Sequence, residues 1–278
     1  MKADFLDQMA EHSRVRADQA RNRADAIDAA AAKAPSAPVL DIEPGRFELI
    51  AEVKLRAPSV GQLAAPADPE AAAVAQATGY AAAGAAAISV LTEPKRFDGA
   101  LSHLAACAQS VSTPLMRKDF LLDPIQIAEA RVAGASGVLL ITRMLSDDVL
   151  DAMLSAVSRA GLFVLVESFD QTDLARTAAA LQRQSSADLT ALVGVNTRDL
   201  ATLQVDPDRL ERCAPFLPPG FPAVAESGIR TPADAAHAAS LGYQVALVGS
   251  ALMQSGDPVD FAAQLIAAGR ESFVAADS

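Results

Sequence analysis

PLMRKDFLLDPIQIAEARVAGASGVLLITR, residues 114–143, is the stretch whose reading decides the fold. It opens on an apolar run (114–120) that ends in charge and closes on a second apolar run (137–143). Between them, Asp123-Pro124-Ile125-Gln126 supplies an N-cap, a proline at the first helical position and a glutamine where a capping box needs one. Strand, helix and strand in about thirty residues make one βαβ unit, whose two strands must be parallel.

The same rhythm extends in both directions. Apolar runs recur at FELIAEVK (47–54), AAISVLT (86–92), LFVLVES (162–168), ALVGVNT (191–197), PAVAES (222–227) and QVALVGS (244–250). They are nearly continuously apolar, as strands buried on both faces should be. Ser146 before DDVLDAML and the pair Thr231-Pro232 mark further helix starts. Eight such units over about 230 residues predict a (β/α)8 TIM barrel. A doubly wound sheet fits less well: no GxGxxG follows the first strand, and eight strands would make a very wide open sheet. The chain reads as one domain, 1–278, in which 1–44 form an N-terminal extension. That extension is one polar amphipathic helix from Asp4 to about Lys33, then a loop broken by Pro35, Pro38 and Pro44.

Composition narrows the function. Hydrophobic residues are 51% and charged residues 21%, which excludes a disordered chain. A net charge of −11 disfavours nucleic acid and anionic membranes as partners. Ala71 to Leu91 carries no charge, but it is mostly alanine and includes Gln76, Gly79 and Gly84, so it reads as helix, turn and strand rather than a membrane span. The N-terminus has no apolar signal region, so the cytoplasm is the expected compartment. Cys107 and Cys213 form no CxxC, and His12, His103 and His237 are scattered, so no metal is expected. Cys107 reads as a packed thiol, and His103 and His237 as structural or surface residues.

In a barrel, chemistry sits at the C-terminal ends of the strands. There the chain places Glu52 and Lys54, Lys118, Glu167, Asn196 and Arg198, Glu226 with Ser227 and Gly228, and Gly249 with Ser250. Glu52 and Lys54 are two apart and therefore share a strand face. Only five of the 23 cations are lysine, yet two of the five stand at strand ends. Lysine can give up a proton where arginine effectively cannot, so acid–base chemistry is favoured over plain ion pairing. Glu167 follows FVLV, where burial would raise its pKa into a useful range. It could equally be the partner of Lys54 or Lys118. Glycines and serines after strands 7 and 8 suit an anion such as a phosphate. Phe97 and Phe120 could be core or could wall an aromatic substrate.

These residues carry a resemblance. LIAEVKLRAPSVG (49–61), LTEPKRFDG (91–99), PLMRKDFLLDPIQIAEAR (114–131), LVES (165–168), VGVNTRDL (193–200), VAESGI (224–229) and LVGSALM (247–253) are similar, in order, to the indole-3-glycerol phosphate synthase family of tryptophan biosynthesis. The resemblance implies a cofactor-free ring closure of 1-(2-carboxyphenylamino)-1-deoxyribulose 5-phosphate, with loss of carbon dioxide and water. It implies Lys118 as general acid, Lys54 on the substrate carboxylate and as a proton donor in dehydration, and Glu167 as stabiliser of the cation or proton acceptor. Glu52 would orient Lys54 and the leaving hydroxyl, and Asn196 and Arg198 would position these groups. Ser227, Gly228, Gly249 and Ser250 would grip phosphate, with Glu226 beside them, and Pro58, Phe97 and Phe120 would wall the ring. A monomer acting on a small phosphorylated aromatic substrate is the expected form. Ala57 departs from the family's usual serine. A sugar-phosphate isomerase or epimerase on the same scaffold, and a non-catalytic barrel, are the competing readings.

Overall fold

The structure, a computed structural model, describes residues 5–56, 67–184, 188–199, 202 and 204–276. Eight strands run in chain order: β1 (Glu48–Val53), β2 (Ala87–Leu91), β3 (Leu115–Lys118), β4 (Gly137–Ile141), β5 (Phe163–Ser168), β6 (Ala191–Asn196), β7 (Ala223–Glu226) and β8 (Val245–Val248). Each pairs in parallel with the next, and β8 pairs with β1, which closes a barrel. Helices α1 (Phe5–Arg21) and α2 (Ala24–Lys33) precede the barrel. Then α3 (Pro69–Ala82) follows β1; α4 (Pro94–Phe97) and α5 (Leu101–Ala108) follow β2; and α6 (Pro124–Val132), α7 (Asp147–Arg159), α8 (Gln171–Arg183), α9 (Arg209–Cys213) and α10 (Pro232–Ser240) follow β3 to β7 in turn. After β8 come α11 (Ser250–Gln254) and α12 (Pro258–Ala276). No described helix is long and apolar enough to cross a membrane.

Strand alternation sorts the core into two shells. Ile50, Met116, Leu139, Leu165, Leu192, Val224 and Leu247 fill the barrel, while Leu49, Val53, Val90, Leu140, Val166 and Val193 face the helices. The caps work as expected. Asp123 and Gln126 form a capping box, Thr231 forms another with Asp234, and Ser146 accepts from the Val149 amide. Gly84, at φ +85°, makes the turn from α3 toward β2. Cys107 is a buried thiol whose pKa burial pushes up to about 11, and His103 is buried in α5.

The single N-terminal helix is corrected to two. The chain breaks at Asn22 and Arg23, where Arg23 leaves the helical region at φ −124°. The reason is tertiary. Arg21, just before the break, pairs with Asp123, the N-cap of α6, and Arg23, within it, pairs with Glu129 of α6. Arg131 of α6 then donates to the carbonyls of Ala34 and Pro35, so α2 follows α6 instead of continuing α1.

A buried network ties α1 to β3. The Arg117 guanidinium, 1% exposed, points away from the barrel axis and donates to Asp119, Thr92 and the Gln126 carbonyl. Asp119 also accepts from Arg16 of α1 at 2.6 Å, and Arg16 lies 3.8 Å from the buried Glu93, the cap of α4. Gln126 donates to Ser13 of α1. Arg16→Met leaves Glu93 without this cation while Asp119 keeps Arg117. The expected cost is about 2–3 kcal/mol, read as a lower Tm in thermal unfolding.

Candidate active site

The C-terminal mouth of the barrel opens into a cavity of about 640 Å³. β1 contributes Glu52 and Lys54, β3 Lys118, β5 Glu167 and β6 Asn196, all inward because each sits in phase with the inner shell of its own strand. Arg198, Ser227, Gly228, Gly249 and Ser250 complete the opposite wall, and Phe97 and Phe120 face it with rings 6.3 Å apart. Glu226 lies deeper. It is fully buried, stands behind Lys118, and is not among the residues that form the wall. Pro58, like Ala57 and Gly61, lies outside the described residues.

The charges are linked. Lys54 Nζ lies 2.6 Å from Glu52 Oε1 and donates to Ser250 Oγ at 3.1 Å. Lys118 Nζ lies 3.6 Å from Glu52 Oε2 and 3.3 Å from Glu226 Oε2. Burial pushes the Glu52 carboxyl up, but the two ammonium groups outweigh it and hold Glu52 below its ordinary range. Burial opposes the charge on Lys118, yet Glu226, Glu52 and Glu167 together raise its pKa, so it stays an ammonium at neutral pH. Glu167 goes the other way: burial raises it, and Lys118 and the Asn196 amide offset only part of that. A held proton on Lys118 facing a carboxylate of raised basicity gives an acid and a base in one cavity.

The anion end has its own geometry. Ser227 sits at φ +63° and Gly228 at φ +78°, two left-handed residues in succession, and the first is strained for a residue with a side chain. Arg198 is lowered by burial and by the nearby Arg230 guanidinium. An anion placed between these two cations relieves that repulsion. Gly249 serves a second purpose besides the grip. A Cβ there would meet Glu52 Oε1 at 2.3 Å, so glycine is what lets the Glu52 carboxylate reach Lys54. Gly249→Ala is expected to displace Glu52 and lower kcat by about 10- to 100-fold with the fold retained, measured by steady-state kinetics alongside a melting curve.

Three wall residues were not legible in the chain. Phe5 of α1 packs edge-on against Phe120 at 5.9 Å and lines the cavity. Arg230 stands two residues after Gly228, a spacing that offers a weak signal. Phe261 of α12 lines the far side and has no local signature. Among the described residues no cluster of His, Cys, Asp and Glu is arranged to hold a metal ion.

Fold and cavity together define a (β/α)8-barrel enzyme that sets lysines against buried carboxylates at the C-terminal mouth. The family described as Indole-3-glycerol phosphate synthase matches residues 6–265. The chain belongs to that family. It is 45% identical over 264 residues to "Indole-3-glycerol phosphate synthase" of Mycobacterium leprae, covering 92% of each chain. It is also 45% identical over 224 residues to the protein of that name from a Parafrankia strain, covering 81% of this chain and 79% of that one. Among solved structures, 3-hexulose-6-phosphate synthase from Salmonella typhimurium superposes with a TM-score of 0.61 at 15% identity, over 81% of this chain and 100% of that one. A dihydropteroate synthetase does so with 0.59 at 17% identity, over 86% and 96%. At that identity the two structures share the barrel only.

Proposed function

We propose that this chain, working as a single (β/α)8 domain, closes the indole ring of indole-3-glycerol phosphate from 1-(2-carboxyphenylamino)-1-deoxyribulose 5-phosphate. The observation that carries the reading is the meeting of Lys54, Lys118 and Glu167 in one cavity with a paired aromatic wall on one side and a glycine–serine grip on the other. The isomerase reading needs an acid and a base but gives no use to the adjacent Phe97 and Phe120 rings.

The chemistry assigned to these groups balances. Lys118 gives its proton to the ketone oxygen as the ring carbon bearing the carboxylate forms a bond to the ketone carbon. The ring becomes a cation. The bond to the carboxylate then breaks, its electrons neutralise the cation, and carbon dioxide leaves. No external electron sink is needed. The new hydroxyl departs as water with a proton from Lys54, and Glu167 takes the proton whose loss restores aromaticity. The six-membered ring is aromatic again once carbon dioxide has left, and the proton taken by Glu167 is the one whose loss completes the aromatic five-membered ring; two protons are given and one is recovered, so each turnover takes up one proton. Lys54 first holds the substrate carboxylate, and Glu52 orients Lys54 and the departing hydroxyl. Asn196 and Arg198 position these groups. Ser227, Gly228, Gly249 and Ser250 hold the phosphate, and Pro58, Phe97 and Phe120 hold the aromatic ring. We extend the reading to a cytoplasmic monomer, since every residue given a role belongs to one chain.

The test is incubation of the purified protein with the carboxyphenylamino substrate, followed by indole fluorescence. Growth of that signal supports the reading, and a folded protein that produces none contradicts it. Ala57→Ser returns the family's hydroxyl beside Pro58 and is expected to lower KM or raise kcat a few-fold in the same assay.

A further inference from the structure

Glu226 has no direct part in the chemistry above, yet its surroundings are unusual. Its Oε2 faces Lys118 at 3.3 Å, while its Oε1 is buried without a hydrogen-bond partner. Glu167 Oε1 is buried without a partner as well. The two are neighbours by construction. Glu167 is the register partner of Gly194 on β6, and Glu226 Oε1 lies where a Cβ of Gly194 would be, 2.1 Å from that point. The Glu226 side chain therefore crosses over β6 at the position the missing side chain leaves open, and comes within hydrogen-bonding reach of Glu167. Two buried acceptors facing each other repel unless one carries a proton.

We propose that Glu226 is a positioning residue that holds a proton and donates it to Glu167, so that Glu167 stays the ionised member of the pair. The deduction deepens the ring-closure reading and rests on it only for its kinetic consequence. The groups around the pair are Lys118 from β3, Glu52 with Lys54 from β1, Asn196 from β6, and Arg198 beyond it, which among the carboxylates senses Glu52. Leu247 is the register neighbour on β8 and adds no charge. Among the described residues one ammonium, Lys118, touches Glu226, and it does so at Oε2 rather than at the unpartnered Oε1. With Glu226 neutral, Lys118 is held as an ammonium by Glu52 and Glu167, and the Glu226 carboxyl still accepts its hydrogen bond.

Burial first, and then the Glu167 charge, push the Glu226 carboxyl up to about 8. Its proton is accordingly present at neutral pH and lost above that value. Above it the cavity gains a negative charge, which weakens the hold on an anionic substrate and takes from Glu167 the hydrogen bond that positions it. The wild-type kcat/KM is thus expected to fall as pH rises through about 8, and Glu226→Gln, which cannot ionise, is expected to lower kcat at neutral pH but to lose that fall.

The decisive experiment uses the substrate-free protein, so its failure is separate from any failure of the proposed activity. Infrared spectra are recorded from mildly acidic to alkaline pH. The expected result is the carbonyl stretch of a protonated carboxylic acid that persists at neutral pH and disappears around pH 8. Glu226→Gln removes the band. Glu167→Gln removes the repelling charge and moves its loss to lower pH, which keeps the test open if the first variant does not fold. Absence of the band in the wild type at neutral pH would overturn the proposal, and so would a band or midpoint indifferent to both substitutions.

Discussion

Lys118→Met lowers kcat for indole-3-glycerol phosphate formation by about a thousand-fold or more, while substrate still binds within a few-fold of the wild type. That loss corresponds to about 4 kcal/mol of transition-state stabilisation. The size follows from the position. Lys118 is the ammonium shared by Glu52 and Glu226, and no described cation other than Lys54, itself bound to Glu52, contacts these carboxylates. Binding is expected to survive because Ser227, Gly228, Gly249 and Ser250, the residues proposed to hold the phosphate, lie after β7 and β8 and not on β3. The protein also stays folded, because buried carboxylates stripped of their cation take up protons rather than remain charged. Equilibrium titration of substrate followed by fluorescence, run beside single-turnover kinetics, separates the two effects. Near-wild-type turnover removes Lys118 as the acid.

Glu167→Gln is the second large effect, about a hundred- to thousand-fold in kcat. Glutamine keeps the shape and the contact with Asn196 but can neither accept a proton nor balance a positive ring. Because Glu167 is raised by burial, the wild-type rate falls as pH drops through its raised pKa and the carboxylate takes up a proton. That acid-side fall disappears in the variant. The pH dependence of kcat checks it, and an unchanged acid limb would assign the limb to another group.

The barrel was legible because its signals are local. Eight buried runs, an Asp-Pro cap with Gln126 in place and a Thr-Pro cap at 231–232 each report on a few consecutive residues. The face shared by Glu52 and Lys54 followed from strand alternation alone, and the 2.6 Å contact agrees. What escaped reading depends on partners far away in the chain. The break at Asn22 has no propensity signal, since it answers to Asp123 and Glu129 about a hundred residues on. Arg117 and Asp119 flank Lys118 in the chain, but they form a separate network reaching Arg16 and Thr92. Gly249 read as part of an anion grip, and Gly194, inside the run 191–197, carried no signal of its own. Their shared purpose, room for the carboxyls of Glu52 and Glu226, is visible only once the strands are side by side.

The most direct measurement of the central idea uses substrate labelled with carbon-13 in the ring carboxylate, with carbon dioxide and indole product counted in the same reaction. One labelled carbon dioxide is expected for each indole-3-glycerol phosphate, with both lost together in Lys118→Met. Indole formed without labelled carbon dioxide, or neither product from a folded wild-type protein, would contradict it.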